Sequence, residues 1–182
     1  MVLGVHGTAS LGFSKNLKSI DKMEQAVVLS TTIFHPQGGG QPSDKGFLQD
    51  GESRFVVNGL YVDGGVVYHL GSFVAGKPFQ VDTQVVLQID PQVRSLNARL
   101  HSAGHLLDVA VRNLQLPWAP KKGYHFPAGP YVEYEGEVAR ESIPLLVPRL
   151  QEEMDGLSER EEAVRVDYVQ EGVNAEKLVR VV

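Results

Sequence analysis

Ile89-Asp90-Pro91-Gln92-Val93-Arg94-Ser95-Leu96-Asn97-Ala98-Arg99-Leu100-His101-Ser102-Ala103-Gly104-His105-Leu106-Leu107 is the stretch at which the chain changes character. Asp90 is a good N-cap and Pro91 is pre-shaped for the first helical position, so a helix is predicted to start here. Leu96, Leu100, Ala103, Leu107, Ala110 and Leu114 then recur at spacings of four and three, the stripe of a core-facing helix, until Leu116-Pro117 ends it.

Upstream, β-branched and aromatic runs at 27–34, 55–62, 66–70 and 79–89 are separated by Gly, Asp and Pro, and read as strands. Asp63-Gly64-Gly65 is a hairpin signal, because consecutive glycines accept the positive φ of primed turns. Short strands at this spacing suggest a small barrel over residues 1–89. Downstream, residues 131–135 alternate with period two after the turn former Pro127-Ala128-Gly129-Pro130. A second helix with the stripe Leu146, Leu150, Met154 and Leu157 follows, Pro144 fitting its first turn and Pro148 blurring its start. Residues 164–169 read as a strand and 174–178 as one helical turn. The expected fold class is α+β, a small N-terminal β-barrel over 1–89 followed by an α+β domain over 90–182.

The 182 residues suffice to bury a core, and 42% apolar with 21% charged residues is ordinary globular usage. No run approaches the roughly 20 apolar residues of a membrane helix, and the N-terminus lacks a signal-peptide pattern, so the cytosol is the expected location. The absence of cysteine excludes disulfides, thiolate zinc sites and cysteine nucleophiles. A net charge of -5 argues against a broad nucleic-acid footprint and leaves room for a local one. Its candidates are Arg94, Arg99 and Arg112 on the first helix, with Lys121 and Lys122 after it. His6 and His69 have no motif around them and read as surface or turn residues, and Trp118 reads as core or edge packing.

His101 and His105, four apart, project from one helix face as a metal clip would, with Asn97, Asp108 and Arg112 continuing the row. Histidines so spaced also serve simply to satisfy local hydrogen bonds. Ser102 stands where a zinc-protease helix has its glutamate, which excludes that class. The second unusual stretch is Phe34-His35-Pro36-Gln37-Gly38-Gly39-Gly40-Gln41-Pro42-Ser43-Asp44-Lys45-Gly46, whose glycines allow backbone N–H groups close to a ligand. No Gly-Lys-Ser/Thr follows, so it is not a P-loop.

Together the two stretches resemble the alanyl-tRNA editing family, the glycine-rich motif at 34–46 and the metal-site helix at 97–107. Gly123-Tyr124-His125-Phe126 and the acidic strand after it extend the resemblance. It implies a β-barrel followed by an α+β editing domain that hydrolyses the ester joining serine or glycine to alanine tRNA. His101 and His105 match two of the family's zinc ligands. The other two come from a Cys-x-x-x-His motif nearer the C-terminus, which this cysteine-free chain lacks, so truncation after Val182 or loss of the pair is expected. His125 or Glu133 could assist. Completed zinc would lower the pKa of a bound water or hold the substrate's amino or hydroxyl group. The loop, through Gly38, Gly39 and Gly40, would line the amino-acid pocket or the tRNA 3′ end, with His125 as a further substrate contact. Gln41 and Asp44 are its catalytic candidates, and Arg99, Arg112, Lys121 and Lys122 its RNA contacts. The competing readings are an acceptor-stem binding module without hydrolysis and an inactive domain severed from a synthetase.

Overall fold

A computed structural model of the protein describes residues 1–11 and 23–161. The chain separates into two compact units: residues 1–104 with 121–133, and residues 105–120 with the chain from Tyr134 onward.

The first unit is built on a six-stranded sheet. Its strands are β1 (Val2–Gly7), β2 (Gln25–Leu29), β3 (Gly46–Asp50), β4 (Ser53–Asp63), β5 (Val66–Ala75) and β6 (Val86–Ile89), in the order β1-β2-β5-β4-β3-β6. Every pairing is antiparallel. The hairpin predicted at Gly64-Gly65 joins β4 to β5, with Asp63 opposite Val66 and both glycines at positive φ. Between Val57 and Gly59 the register of β4 against β5 shifts, so the buried side of β4 passes from Phe55 and Val57 to Leu60. Val2, Val27, Leu29, Phe34, Leu48, Phe55, Val57, Leu60 and Phe79 form the core, with Phe73 edge-on to both Phe55 and Phe79.

No closed barrel is found among the described residues, where β1 and β6 stand at the two ends of the strand order. The run expected as a strand over 79–89 is a strand only at Val86–Ile89. Before that, Thr83 N donates to Gln80 O and Asp82 adopts a positive φ, which makes a turn within the run. Two backbone bonds tie this turn to β1: Val2 N to Thr83 O and Asp82 N to Val2 O, both 2.9 Å. β1 and β3 were not foreseen. His69, expected at the surface, is completely buried on β5. Its Nδ1 donates to Val27 O at 3.0 Å, so Nε2 accepts from the Thr32 hydroxyl at 2.7 Å.

Helix α1 (Pro91–Asn113) starts as predicted, Asp90 Oδ1 accepting from the amides of Gln92 and Val93. Its inward side differs from the expected stripe. Leu96 is 48% exposed and Ala103 is exposed, whereas Asn97 and Gly104 are buried and His101 half-buried. His101 has the glycine-rich loop against it and Gly104 the ring of His125.

In the second unit Ala110 and Val111 of α1 are buried, as is Leu157 of helix α2 (Ile143–Glu159). Asn113 Nδ2 donates to Glu153 Oε1 at 2.8 Å, joining the two helices. α2 runs through Pro148 and is preceded by a 3-10 turn, Arg140–Ser142. Trp118 packs as expected, its Nε1 donating to Glu137 O with a side chain at Gly136 excluded by its ring. Strands β7 (Ala119–Tyr124) and β8 (Tyr131–Glu135) make a separate two-stranded sheet. The strand and helical turn expected at 164–169 and 174–178 lie outside the described residues.

Candidate active site

Residues 38–41 make a tight turn in which Gly38 N donates to Gln41 O and Gln41 N to Gly38 O. Gly39 and Gly40 occupy its centre at φ 55° and 79°, a conformation that residues with a Cβ rarely accept. The bonds inside the turn use the amides of Gly38 and Gln41 and leave those of Gly39 and Gly40 to other partners.

Two contacts dock this turn. Gln41 Oε1 lies 2.9 Å from His101 Nδ1, and His125 N donates to Gly40 O at 2.9 Å. With the amide oxygen facing it, Nδ1 is the protonated nitrogen of His101 and Nε2 carries the lone pair. A Cβ on Gly39 would sit only 3.2 Å from His101 Cε1, so the bare glycine lets the loop approach the imidazole. The ring of His125 stacks on that of His101, centroids 4.7 Å apart and planes 19° from parallel.

His125 is only 5% exposed and fills a cradle of three glycines from three elements. A Cβ on Gly104 of α1 would collide with its Cε1, one on Gly123 of β7 would lie 2.5 Å from Nε2, and one on Gly40 would lie 3.1 Å from Cδ2. Glycine at 104 and 123 thus follows from the volume of one side chain, whereas at 40 the Gly123 carbonyl, with which such a Cβ would collide, and a φ of 79° already require it.

Asp44 supports the loop from behind. Fully buried, it receives Arg94 Nε at 2.7 Å on one oxygen, and Arg94 Nη2 and the His35 amide, the latter at 2.6 Å, on the other. Arg94 Nη2 also donates to Ile33 O at 2.9 Å. Burial alone would raise the Asp44 carboxyl, but the Arg94 guanidinium and the His35 amide outweigh it and hold it below the usual carboxylate range. Arg94, counted among the cations for a phosphate patch, is instead committed to this ion pair.

His105 lies one helical turn beyond His101, with its side chain 71% exposed and its Nδ1 3.7 Å from Asp108 Oδ2. Tyr134 donates to the other Asp108 oxygen at 2.6 Å, and burial together with that carboxylate raises its phenol. Nδ1 of His101 faces the Gln41 amide oxygen, whereas Nδ1 of His105 is beyond hydrogen-bond distance of Asp108. Among the described residues no group of three or more His, Asp or Glu is disposed to hold a metal. Glu133 is exposed on β8.

Lys121 and Lys122 are adjacent and exposed on β7. Arg99 and Arg112 are exposed on α1, thirteen residues apart, which at 100° per residue turns them to different sides of the helix. Sequence reading missed the Asp44–Arg94 pair and the glycine cradle, whose members are far apart in the chain and carry no local signal.

Residues 8–93 match the family model of class II (A) tRNA synthetases. The alanine–tRNA ligase of Pseudomonas fluorescens is 35% identical over 128 residues, covering 66% of this chain and 14% of the ligase. That of Hydrogenovibrio crunogenus is 33% identical over 106 residues, 58% of this chain and 12% of its own length. The alanyl-tRNA editing protein AlaX-L of Pyrococcus horikoshii is 32% identical over 97 residues, 53% of this chain and 23% of that protein. The chain therefore spans a minor part of the curated relatives it matches. No helix among the described residues is long and apolar enough to cross a membrane.

Proposed function

We propose, proceeding from the fact that this chain belongs to the family related to the alanyl-tRNA editing domain, that it hydrolyses the ester joining a wrong amino acid, serine or glycine, to alanine tRNA in the cytosol. The observation that carries this reading is His101, brought from α1 against Gln41 of the glycine-rich turn.

Gln41 selects the tautomer of His101 and so directs its basic Nε2 to one position. The amides of Gly39 and Gly40 are suited to donate to the oxyanion that develops as the ester carbonyl is attacked. His125 backs the His101 ring and holds the turn through Gly40 O. Asp44, with its oxygens engaged by Arg94 and His35, is a positioning residue for the loop. A zinc ion held by His101 and His105 would lower the pKa of a bound water to about 7 or hold the substrate's amino or hydroxyl group. A pocket that hydrogen-bonds serine's hydroxyl rejects correctly attached alanine, because alanine leaves that polar group unpaired.

The two-ligand donor set favours one second reading, a tRNA acceptor-stem binding module without hydrolysis. Deacylation of serine- and glycine-charged alanine tRNA, with and without added zinc, separates the two. Release by the wild type that falls about 100-fold or more in His101→Ala, with tRNA binding retained, is expected. No release despite tRNA binding would leave the binding module.

A further inference from the structure

Tyr124 ends β7, Phe126 follows two residues later and Tyr131 opens β8, and their rings form one near-parallel column. Tyr124 and Phe126 are 4.5 Å apart at 13°, Tyr124 and Tyr131 5.2 Å apart at 21°. His125, between the first two, is turned instead into the glycine cradle. The column is thus one residue from the candidate active site. Tyr131 is 46% exposed, although it is part of a stack that would bury it if packing were its whole purpose. Lys122 Nζ lies over the Tyr131 ring, 6.0 Å from its centroid, whereas Lys121, the neighbouring residue on the strand, is exposed on the opposite face.

Aromatic rings with lysines alongside are the chemistry that receives single-stranded nucleic acid, bases stacking on the rings and phosphates meeting the cations. At a net charge of -5 the chain as a whole repels a polyanion, so any contact must be short and local. Glu133, exposed two residues after Tyr131 on β8, restricts it further. A few unpaired nucleotides satisfy these limits better than a duplex does.

We propose that Lys122 and Tyr131 form a docking surface for the single-stranded 3′ end of tRNA, with a base stacked on Tyr131 and a phosphate on Lys122. The identity of the RNA rests on the editing reading; the stacking surface itself does not.

Fluorescence anisotropy with uncharged alanine tRNA, intact or with its single-stranded 3′ end trimmed, tests this on the full chain. Tyr131→Leu should bind intact tRNA about tenfold more weakly than wild type and the trimmed form equally well, while Tyr131→Phe stays within about twofold on both. Lys122→Ala, at an exposed position, should flatten the slope of log affinity against log salt by roughly 0.7, the value of one phosphate contact, while Lys121→Ala should leave it unchanged. A Tyr131→Leu protein that loses nothing on intact tRNA, or as much on the trimmed form, overturns the surface, as does an unchanged salt slope in Lys122→Ala. Seryl-tRNA deacylation separates this from the reading it rests on. Wild type that discriminates the intact end through Tyr131 but releases no serine keeps the surface and removes the hydrolase; release with an unaltered KM in Tyr131→Leu removes the surface and keeps the hydrolase.

Discussion

A methyl group on Gly104 would collide with the His125 ring, and this sets two effects of Gly104→Ala against each other. In a helix interior alanine is favoured over glycine by about 1 kcal/mol, whereas overpacking a well-filled site costs about 1–3 kcal/mol. A net loss of about 1 kcal/mol is expected in urea unfolding, and Gly104→Ala combined with His125→Ala should suffer less than the two single effects added, since the ring that clashes is gone. Strict additivity would mean that the cradle does not act through His125. Elsewhere a single imidazole makes stability depend on pH. Burial lowers the pKa of His69 against the smaller opposing effect of its bond to Val27 O, so the ring stays neutral in the folded protein. The unfolded chain, with its ordinary value near 6.5, takes up the proton first as pH falls. Stability is therefore undiminished by this group above about pH 6.5 and declines as pH drops toward the lowered folded value. Urea midpoints at pH 7.5 and 5.5 should differ in that direction for wild type, and the difference should shrink in His69→Asn.

The glycine-rich loop and α1 are coupled as elements through Asp44 and Arg94. Asp44 titrates below its ordinary value of 3.8 when folded, so its contribution is complete above that pH and is lost as pH falls through the depressed folded value. Asp44→Asn should cost about 2 kcal/mol at pH 7, less than for a fully buried pair because the Arg94 side chain is 35% exposed, and should weaken the acid dependence below about pH 4. Thermal melts across pH 3 to 7 measure both. The elements themselves were unevenly legible. Asp90-Pro91 and Gly64-Gly65 act through local backbone chemistry, so the helix start and the hairpin could be read directly. The inward face of α1 could not, because the apolar pattern pointed to Leu96 and Ala103. What covers Gly104 instead is an imidazole distant in the chain. Closure of the sheet was not legible either: strand spacing says where extended runs fall, not which strands pair, and the turn at residues 80–83 lies inside a run read as one strand. In the site, the motif residues Gln41, His101 and His125 were named from the sequence, while Arg94 was given the wrong task because its partner lies fifty positions away.

For the molecule as a whole, metal affinity and stability are linked. A ligand that binds only the folded protein raises its stability by about 2.7 kcal/mol at one hundred times its dissociation constant. Zinc titration should therefore raise the melting temperature of wild type and leave His101→Ala unmoved; a wild type indifferent to zinc would sink the metal reading and leave the His101 tautomer to be explained by proton transfer alone. The glycine cradle also carries information about descent. Positions 104 and 123 must stay small for as long as 125 is histidine, so a lineage that acquires a larger residue at either is expected to have surrendered that histidine first. Genomes can be sorted on those three columns, and the order in which the substitutions accumulate along a phylogeny would show whether the ring or the space around it was given up first.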